Sequence, residues 1–233
     1  MQITYLADIR DIKDETVYRR LYEMLPEERQ RKTDRMLQEK DRKLAVGAGS
    51  LLSLALANYL AGETGDGQVR RICLDVLSGE VPEVGRKLVL CANPHGKPYI
   101  PAYPDFCFNL SHSGSKVMLV SADSPVGCDI QEYDRDTEQI VRRCFSTAEQ
   151  KLWRQSDDEE RVKVFTEIWA RKESFLKAVG VGLSVELRSF SVVDERGRFG
   201  LVQEKFPGCW KTEAWHLPER YCCSITRQIR ETL

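Results

Sequence analysis

The sequence lacks the residue spacings that mark zinc and disulfide sites. Its eight cysteines include no C-x-x-C pair and its three histidines no H-x-x-x-H pair, so no zinc site is predicted. The cysteines are scattered, which is typical of small buried side chains in a reducing compartment. No stretch reaches the roughly 18 consecutive apolar residues of a membrane span. The first residues carry no basic segment followed by a long apolar run, so we expect a cytosolic protein with no membrane partner.

The sequence also lacks an excess of charge of either sign. The formal net charge is −1 with 30% charged residues, so nothing global indicates nucleic acid as the main partner, and any polyanion site must be local. Residues 29–43 are rich in basic side chains, although this pattern by itself favours a solvated helix face. With 42% apolar residues in 233, the chain can form one large domain or two of about 110 residues.

Helical and extended patterns alternate along the chain. Residues 44–60 are apolar almost all round, which predicts a buried central helix. We predict other helices at 14–25, from 26 onwards, and at 137–145, 147–155 and 158–179; the predicted strands are 3–6, 87–91, 106–110, 117–120, 126–131, 190–193, 199–202, 210–215 and 221–226. This order favours an α+β fold of two similar halves, residues 1–115 and 116–233, with a site between them.

The helix predicted at 158–179 carries charged residues along an apolar stripe. Glu173 and Lys177 are four residues apart, so the simplest explanation is an ion pair on a solvated helix face. That explanation does not account for the apolar residues on either side of this pair. They favour charged groups at the edge of a buried surface, and therefore a functional site. Both interpretations remain open on this stretch alone. Gly180 is expected to end the helix in a left-handed conformation.

Three further side chains stand out in strands and turns. Asp129 lies in the apolar run 126–131, where a buried carboxylate needs a cation or hydrogen-bond donors. His112 follows a predicted strand and is flanked by small residues, which would leave it accessible, although a lone histidine is more often structural. Lys97 lies in a turn between breakers, and such a lysine is either solvated or directed at a phosphate.

Four short motifs occur in a fixed order between residues 96 and 177. They are Gly96-Lys-Pro, Asn109-Leu-Ser-His-Ser-Gly114, Val126-Gly-Cys-Asp-Ile130 and Trp169-x-x-Lys-Glu-x-x-x-Lys177. Together they resemble the 4′-phosphopantetheinyl transferases, and their spacing is similar to that of the larger, surfactin-synthetase-type branch. Each motif is weak alone, but four in sequence make a specific match.

The resemblance implies a fold, a reaction and partners. The fold would be a pseudo-twofold pair of α/β halves, with coenzyme A and Mg²⁺ bound in the cleft between them. The N-terminal half would bind the nucleotide, and the C-terminal half would hold magnesium and the catalytic residues. The reaction would transfer phosphopantetheine to a serine of an apo carrier protein and release 3′,5′-ADP. The resemblance also implies a monomer.

The resemblance assigns a role to each motif residue. Asp129 and Glu173 would ligate magnesium, with Glu173 or a nearby water taking the proton from the serine. His112 and Lys177 would hold the pyrophosphate. Together with Asp129 and Glu173, they are the catalytic residues that the resemblance implies. The remaining coenzyme A contacts implied are Lys97, Ser111 and Lys172 along the nucleotide, and Arg31 and Lys43 at the 3′-phosphate.

The chain departs from the family pattern at Gln131. Many relatives have a second acid there, so a shell of three carboxylates is not available, and two carboxylates with waters must suffice unless Gln131 contributes its amide oxygen. Two other functions remain open: a non-catalytic module that binds coenzyme A or a carrier, and a magnesium-dependent nucleotide phosphohydrolase. The sequence does not indicate which carrier is used.

Overall fold

The computed structural model describes residues 1–79, 83–133 and 138–229. The chain divides into two compact units. The first consists of Met1–Ala92 and Pro98–Asp123, and the second of Asn93–Lys97 and Ser124–Leu233. Each unit contains both helices and strands, which confirms the expected α+β class.

The described residues form both strands and α-helices. The strands are β1 (Gln2–Asp8), β2 (Asp66–Ile72), β3 (Cys91–Ala92), β4 (Pro98–Tyr99), β5 (Cys107–Ser113), β6 (Lys116–Ala122), β7 (Val126–Glu132), β8 (Ser191–Val193), β9 (Phe199–Val202), β10 (Cys209–Leu217) and β11 (Tyr221–Ile229). The helices are α1 (Glu15–Tyr22), α2 (Glu27–Asp34), α3 (Glu39–Leu60), α4 (Leu74–Leu77), α5 (Glu138–Cys144), α6 (Thr147–Gln155) and α7 (Asp158–Val179).

The first unit is built on a four-stranded sheet in the order β2-β1-β6-β5. β1 pairs with β2 in parallel and with β6 antiparallel, and β5 and β6 form the predicted hairpin. Because β6 lies between β1 and β5, residues up to Asp123 belong to this unit. The division therefore differs from the boundary expected at residue 115.

Helix α3 is the central helix of the first unit, as its composition predicts. Eleven of its residues are buried, and its apolar side chains join those of β1, β5 and β6 in one hydrophobic core. Among the described helices, α3 has the length and composition that could cross a membrane. Its burial in the core accounts for that apolar content.

The second unit is built on a three-stranded antiparallel sheet in the order β10-β11-β7. Helix α7 begins and ends where the pattern predicts, and Gly180 follows it with φ 78°, the left-handed cap expected there. Helix α6 begins with a capping box of Ser146 and Glu149. Ile168, Phe175 and Leu176 of α7 lie in the hydrophobic core of this unit.

Between α3 and β5, one predicted strand is wrong and one observed strand was not predicted. Residues 87–91 do not form a strand: Glu83–Lys87 is a 3₁₀ helix, and only the short β3 begins at Cys91. The seven-residue β2 was not predicted, because it is an edge strand with few apolar residues and shows no clear alternation. Thr137, where a helix was predicted to begin, lies outside the described residues.

Candidate functional site

Gly127 allows β7 to lie directly against α7. A Cβ atom at this position would be 2.2 Å from the backbone oxygen of Ser174 and 2.2 Å from the backbone nitrogen of Ala178. No side chain fits at those distances, so only glycine permits this approach. Asp129 is two residues further along the strand and therefore points to the same face, towards α7.

Asp129 is a buried carboxylate with partners on both oxygens. Its side chain is 2% exposed. Oδ1 accepts a hydrogen bond from Lys177 Nζ at 2.6 Å, and Oδ2 accepts one from Gln131 Nε2 at 2.8 Å. The expectation that this carboxylate needs a cation and donors is confirmed. Lys177 pairs with this buried carboxylate, so its ammonium group does not lie on a solvated helix face, as the simplest explanation of its spacing from Glu173 had it.

The charges of this cluster shift one another's pKa values. Burial, and then the negative charge of Asp129, raise the pKa of Glu173 above its ordinary value, while Lys177 acts in the opposite direction. Burial alone would lower the pKa of Lys177, but Asp129 outweighs it and raises that pKa. Two carboxylates thus share the charge of one ammonium group, which leaves the cluster negative.

A negative cluster of hard oxygen donors fits a magnesium ion. Magnesium in proteins is commonly bound by one or two carboxylates together with waters and substrate phosphates. Within the described ranges, no group of three or more His, Cys, Asp and Glu side chains is placed to hold a metal ion. Gln131 turns its amide nitrogen towards Asp129, and it therefore acts as a donor to a candidate ligand.

Lys97 belongs to the second unit and binds backbone carbonyls there. Its Nζ donates to Val126 O at 2.9 Å and to Ala178 O at 2.8 Å, at the start of β7 and the end of α7. Asn93 Nδ2 donates to Gly180 O at 2.8 Å and holds the same turn in place. The turn is therefore anchored beside the cluster. This arrangement differs from the contact with a nucleotide that the resemblance implies for Lys97.

The structure contradicts the nucleotide contact that the resemblance implies for Lys172. Its side chain is fully buried, with Nζ 3.0 Å from Glu149 Oε1 and 2.8 Å from both Leu187 O and Phe190 O. Three oxygen atoms therefore engage the three N–H donors of the ammonium group. Burial lowers the pKa of Lys172, and Glu149 offsets part of that effect. Lys172 thus holds α7 to α6 and to the segment before β8, and it is not placed to line a nucleotide.

The other predicted residues lie in the first unit. Ser111 is buried and His112 exposed near the end of β5. Arg31 is exposed on α2 and pairs with Glu27 at 2.8 Å. The structure therefore brings together Asp129, Gln131, Glu173 and Lys177 in the second unit, and it places Arg31, Lys43, Ser111 and His112 in the first.

Lys43 lies at a cavity of the first unit. The cavity has a volume of about 350 Å³, and its charged lining residues are Lys13, Asp14, Glu15, Glu39, Arg42 and Lys43. Lys43 Nζ is 2.8 Å from Glu39 Oε1. A second cavity of about 880 Å³ lies in the second unit, next to the N-terminus of α6 and the β8–β9 hairpin. None of the predicted site residues is among its described lining residues.

Sequence reasoning missed two residues that shape the cluster. Gly127 was quoted only as part of a motif, although a glycine inside an apolar strand often marks a close backbone approach. The pairing of Glu149 with Lys172 was not predicted, because the two residues are 23 positions apart and no local pattern indicates the contact. Only the packing of α6 on α7 brings them together.

Comparison with known proteins gives a family model and several similar proteins. Residues 125–226 match the family model described as the 4′-phosphopantetheinyl transferase superfamily. A 4′-phosphopantetheinyl transferase of Bacillus subtilis is 42% identical over 98 residues, which are 42% of this chain and 44% of that protein. The L-aminoadipate-semialdehyde dehydrogenase-phosphopantetheinyl transferase of Homo sapiens is 37% identical over 95 residues, 37% of this chain and 31% of that protein.

Among solved structures, a holo-(acyl-carrier-protein) synthase from Bacillus anthracis in complex with CoA (3′,5′-ADP) aligns with a TM-score of 0.40 at 20% identity. The alignment covers 45% of this chain and 95% of that chain. The chain spans less than half the length of the two transferases it matches. The family model confirms the resemblance for residues 125–226, and this segment contains Asp129, Gln131, Glu173 and Lys177.

Proposed function

We propose, from the match of residues 125–226 to the family model of the 4′-phosphopantetheinyl transferase superfamily, that this protein transfers the 4′-phosphopantetheine group of coenzyme A to a serine of an apo acyl or peptidyl carrier protein. The observation that supports this most strongly is the cluster of Asp129, Glu173 and Lys177, which joins two of the family-like motifs in one buried, negatively charged site. The other product would be 3′,5′-ADP.

Asp129 and Glu173 are the residues that would hold magnesium. A magnesium ion there would supply positive charge beside the diphosphate of coenzyme A. Lys177 would add a second positive charge next to the same diphosphate, since its ammonium group already faces Asp129. Gln131 would keep the carboxylate of Asp129 in its orientation by donating to Oδ2. The finer prediction that Gln131 ligates the metal through its oxygen has no support in this arrangement.

Glu173 is the candidate general base. Its raised pKa makes its carboxylate a better proton acceptor than an ordinary glutamate. In the proposed reaction the serine Oγ attacks the phosphorus atom next to the pantetheine, its proton passes to Glu173 or to a water beside it, and the bond from that phosphorus to the oxygen of 3′,5′-ADP breaks. The electron pair of that bond remains on the departing phosphate.

Residues of the first unit would bind the nucleotide. His112 is exposed on β5 and can donate to a phosphate, with Ser111 beside it. Both Lys43 and Arg31 pair with a glutamate, but Lys43 is the better supported candidate for the 3′-phosphate, because it lines a cavity together with Lys13 and Arg42, whereas Arg31 lies on an open helix surface. We also propose that the protein is a monomer that works in the cytosol, in keeping with its eight free cysteines.

The test is intact-mass measurement of a panel of apo carriers incubated with coenzyme A and Mg²⁺. The proposal predicts that at least one carrier gains the mass of one phosphopantetheine group, and that the gain is lost with a chelator and with Glu173→Gln. Coenzyme A that is bound but not consumed would indicate a non-catalytic binding module. Coenzyme A consumed without any carrier would indicate a phosphohydrolase instead. Either result would refute the proposed transfer.

A further inference from the structure

Helix α7 lies on its sheet through polar side chains as well as through the hydrophobic core. Glu167, Arg171 and Ser174 follow the spacing i, i+4, i+7 and therefore share one face of the helix. Ser174 Oγ is 2.9 Å from both Ser224 Oγ and Thr226 Oγ1 on β11, and all three residues are fully buried. We call this face of α7, together with its partners on the sheet, the polar seam.

The outer end of the polar seam is an ion-paired chain. Glu167 Oε2 is 2.8 Å from His216 Nε2 on β10, and Glu167 Oε1 accepts from Arg171 Nε at 2.9 Å and Nη2 at 2.7 Å. Arg171 Nη1 in turn donates to Thr212 O at 3.4 Å. Burial alone would raise the pKa of Glu167, but His216 and Arg171 outweigh it and lower that pKa. Glu167 is therefore held as a carboxylate.

The chain continues from His216 to the end of β7. His216 Nδ1 is hydrogen-bonded to the hydroxyl of Tyr133, the residue that directly follows β7. In the sheet, Gln131 pairs with Cys222, and Cys222 pairs with His216, so these residues form one row across three strands. One connected set of hydrogen bonds thus joins α7, β10 and the end of the strand that carries Asp129.

Such a seam restricts how α7 can lie along the sheet. Apolar side chains tolerate small shifts along a helix axis, whereas hydrogen bonds lose their geometry within fractions of an ångström. A shift of one turn would move α7 by about 5.4 Å. Glu173 and Lys177 would then no longer face Asp129. Buried polar contacts are known to select one register among several apolar alternatives.

We propose that Glu167 and His216 are positioning residues, which hold α7 at the one axial position where Glu173 and Lys177 meet Asp129. The proposal rests on the proposed function for its kinetic test, but not for its stability test. Glu167 lies on α7 and contacts His216 of β10, so each of the two would act on Asp129 and Lys177 through the position of α7. Substituting Glu167 or His216 should therefore change the geometry between Asp129, Glu173 and Lys177 while leaving all three side chains present.

The kinetic test compares a graded series of variants. His216→Leu removes both hydrogen bonds of the imidazole, His216→Gln keeps a donor towards Glu167, and Tyr133→Phe removes only the hydroxyl. We expect kcat to fall about tenfold or more in His216→Leu, with KM for coenzyme A within about twofold, and most of the activity to return in His216→Gln. The matched control is Glu213→Leu on β10, where the exposed side chain pairs with Lys211 and not with α7.

The stability test measures the Asp129–Lys177 contact without any substrate. A double-mutant cycle of Asp129→Asn and Lys177→Met in urea gives the coupling between the two side chains. We expect this coupling in the wild type and in the Glu213→Leu background, and its loss in the His216→Leu background. If His216→Leu does not fold, the same cycle in Tyr133→Phe should show a reduced coupling.

The two tests separate the proposals. An unchanged coupling, or a His216→Leu enzyme that is merely less stable with an unchanged kcat, would overturn the positioning role. If the wild type modifies no carrier, the proposed function fails, and the coupling measurement alone decides the role of Glu167 and His216.

Discussion

Replacing Lys172 with methionine should destabilise the protein strongly. Methionine has a similar volume but leaves Glu149 buried without its positive partner, and it removes the donors to Leu187 O and Phe190 O. Breaking a fully buried ion pair by removing one partner costs about 3–5 kcal/mol. For a chain of this size, 1 kcal/mol corresponds to roughly 2–4 °C in the unfolding midpoint, so the midpoint should fall by about 6–20 °C.

The assay is urea and thermal unfolding of Lys172→Met at neutral pH. Lys163→Met is the matched control, because Lys163 lies on the same helix and forms an exposed pair with Glu160; its effect should stay below about 1 kcal/mol. The double variant Glu149→Gln with Lys172→Met should recover part of the lost stability, since it no longer buries an unpaired carboxylate.

Kinetics decide between the two interpretations of Lys172. If it lined the nucleotide, Lys172→Met would unfold within about 1 kcal/mol of the wild type and would raise KM for coenzyme A. That result would refute the reasoning from burial and would restore the contact that the family resemblance implies. A large loss of stability with an unchanged KM in the folded fraction would confirm the structural role.

Three further predictions concern the cluster. Glu173→Gln should abolish transfer yet stabilise the fold at neutral pH, because burial and Asp129 raise the pKa of Glu173 above its ordinary 4.5 and the charged carboxylate therefore costs stability above its folded pKa. The gain in stability should vanish as the pH falls below about 4.5. A variant less stable than wild type at neutral pH would contradict this. Gly127→Ala should lower the free energy of unfolding in urea by at least about 1–3 kcal/mol and lower kcat, because the added methyl group meets the backbone of α7. Gly200→Ala is the control, since a Cβ atom there has nothing within 4 Å. Equal effects of the two substitutions would refute the close-approach argument. Gln131→Ala should keep much of the activity at saturating magnesium while Asp129→Ala loses nearly all of it, and equal, near-complete losses would show that Gln131 is as important to the site as Asp129.

The sequence by itself determined the features that depend on local patterns. The bounds of α7, the buried character of α3, the capping box of α6 and the left-handed Gly180 all follow from side-chain periodicity or from the chemistry of one turn. The need of Asp129 for a partner also followed from its apolar neighbours, because an unpaired buried carboxylate is too costly. Motif order then indicated which part of the chain carries the chemistry.

Only the tertiary structure decided which partner each charged side chain has. Lys172 and Lys177 are five residues apart on one helix, which places them about 140° apart around its axis. Lys177 faces β7 and pairs with Asp129, 48 residues away, whereas Lys172 faces α6 and pairs with Glu149. Helical spacing shows that the two lysines point to different sides, but it does not show what lies on each side. That depends on long-range packing, and so the catalytic candidate and the structural lysine could be told apart only in the folded chain.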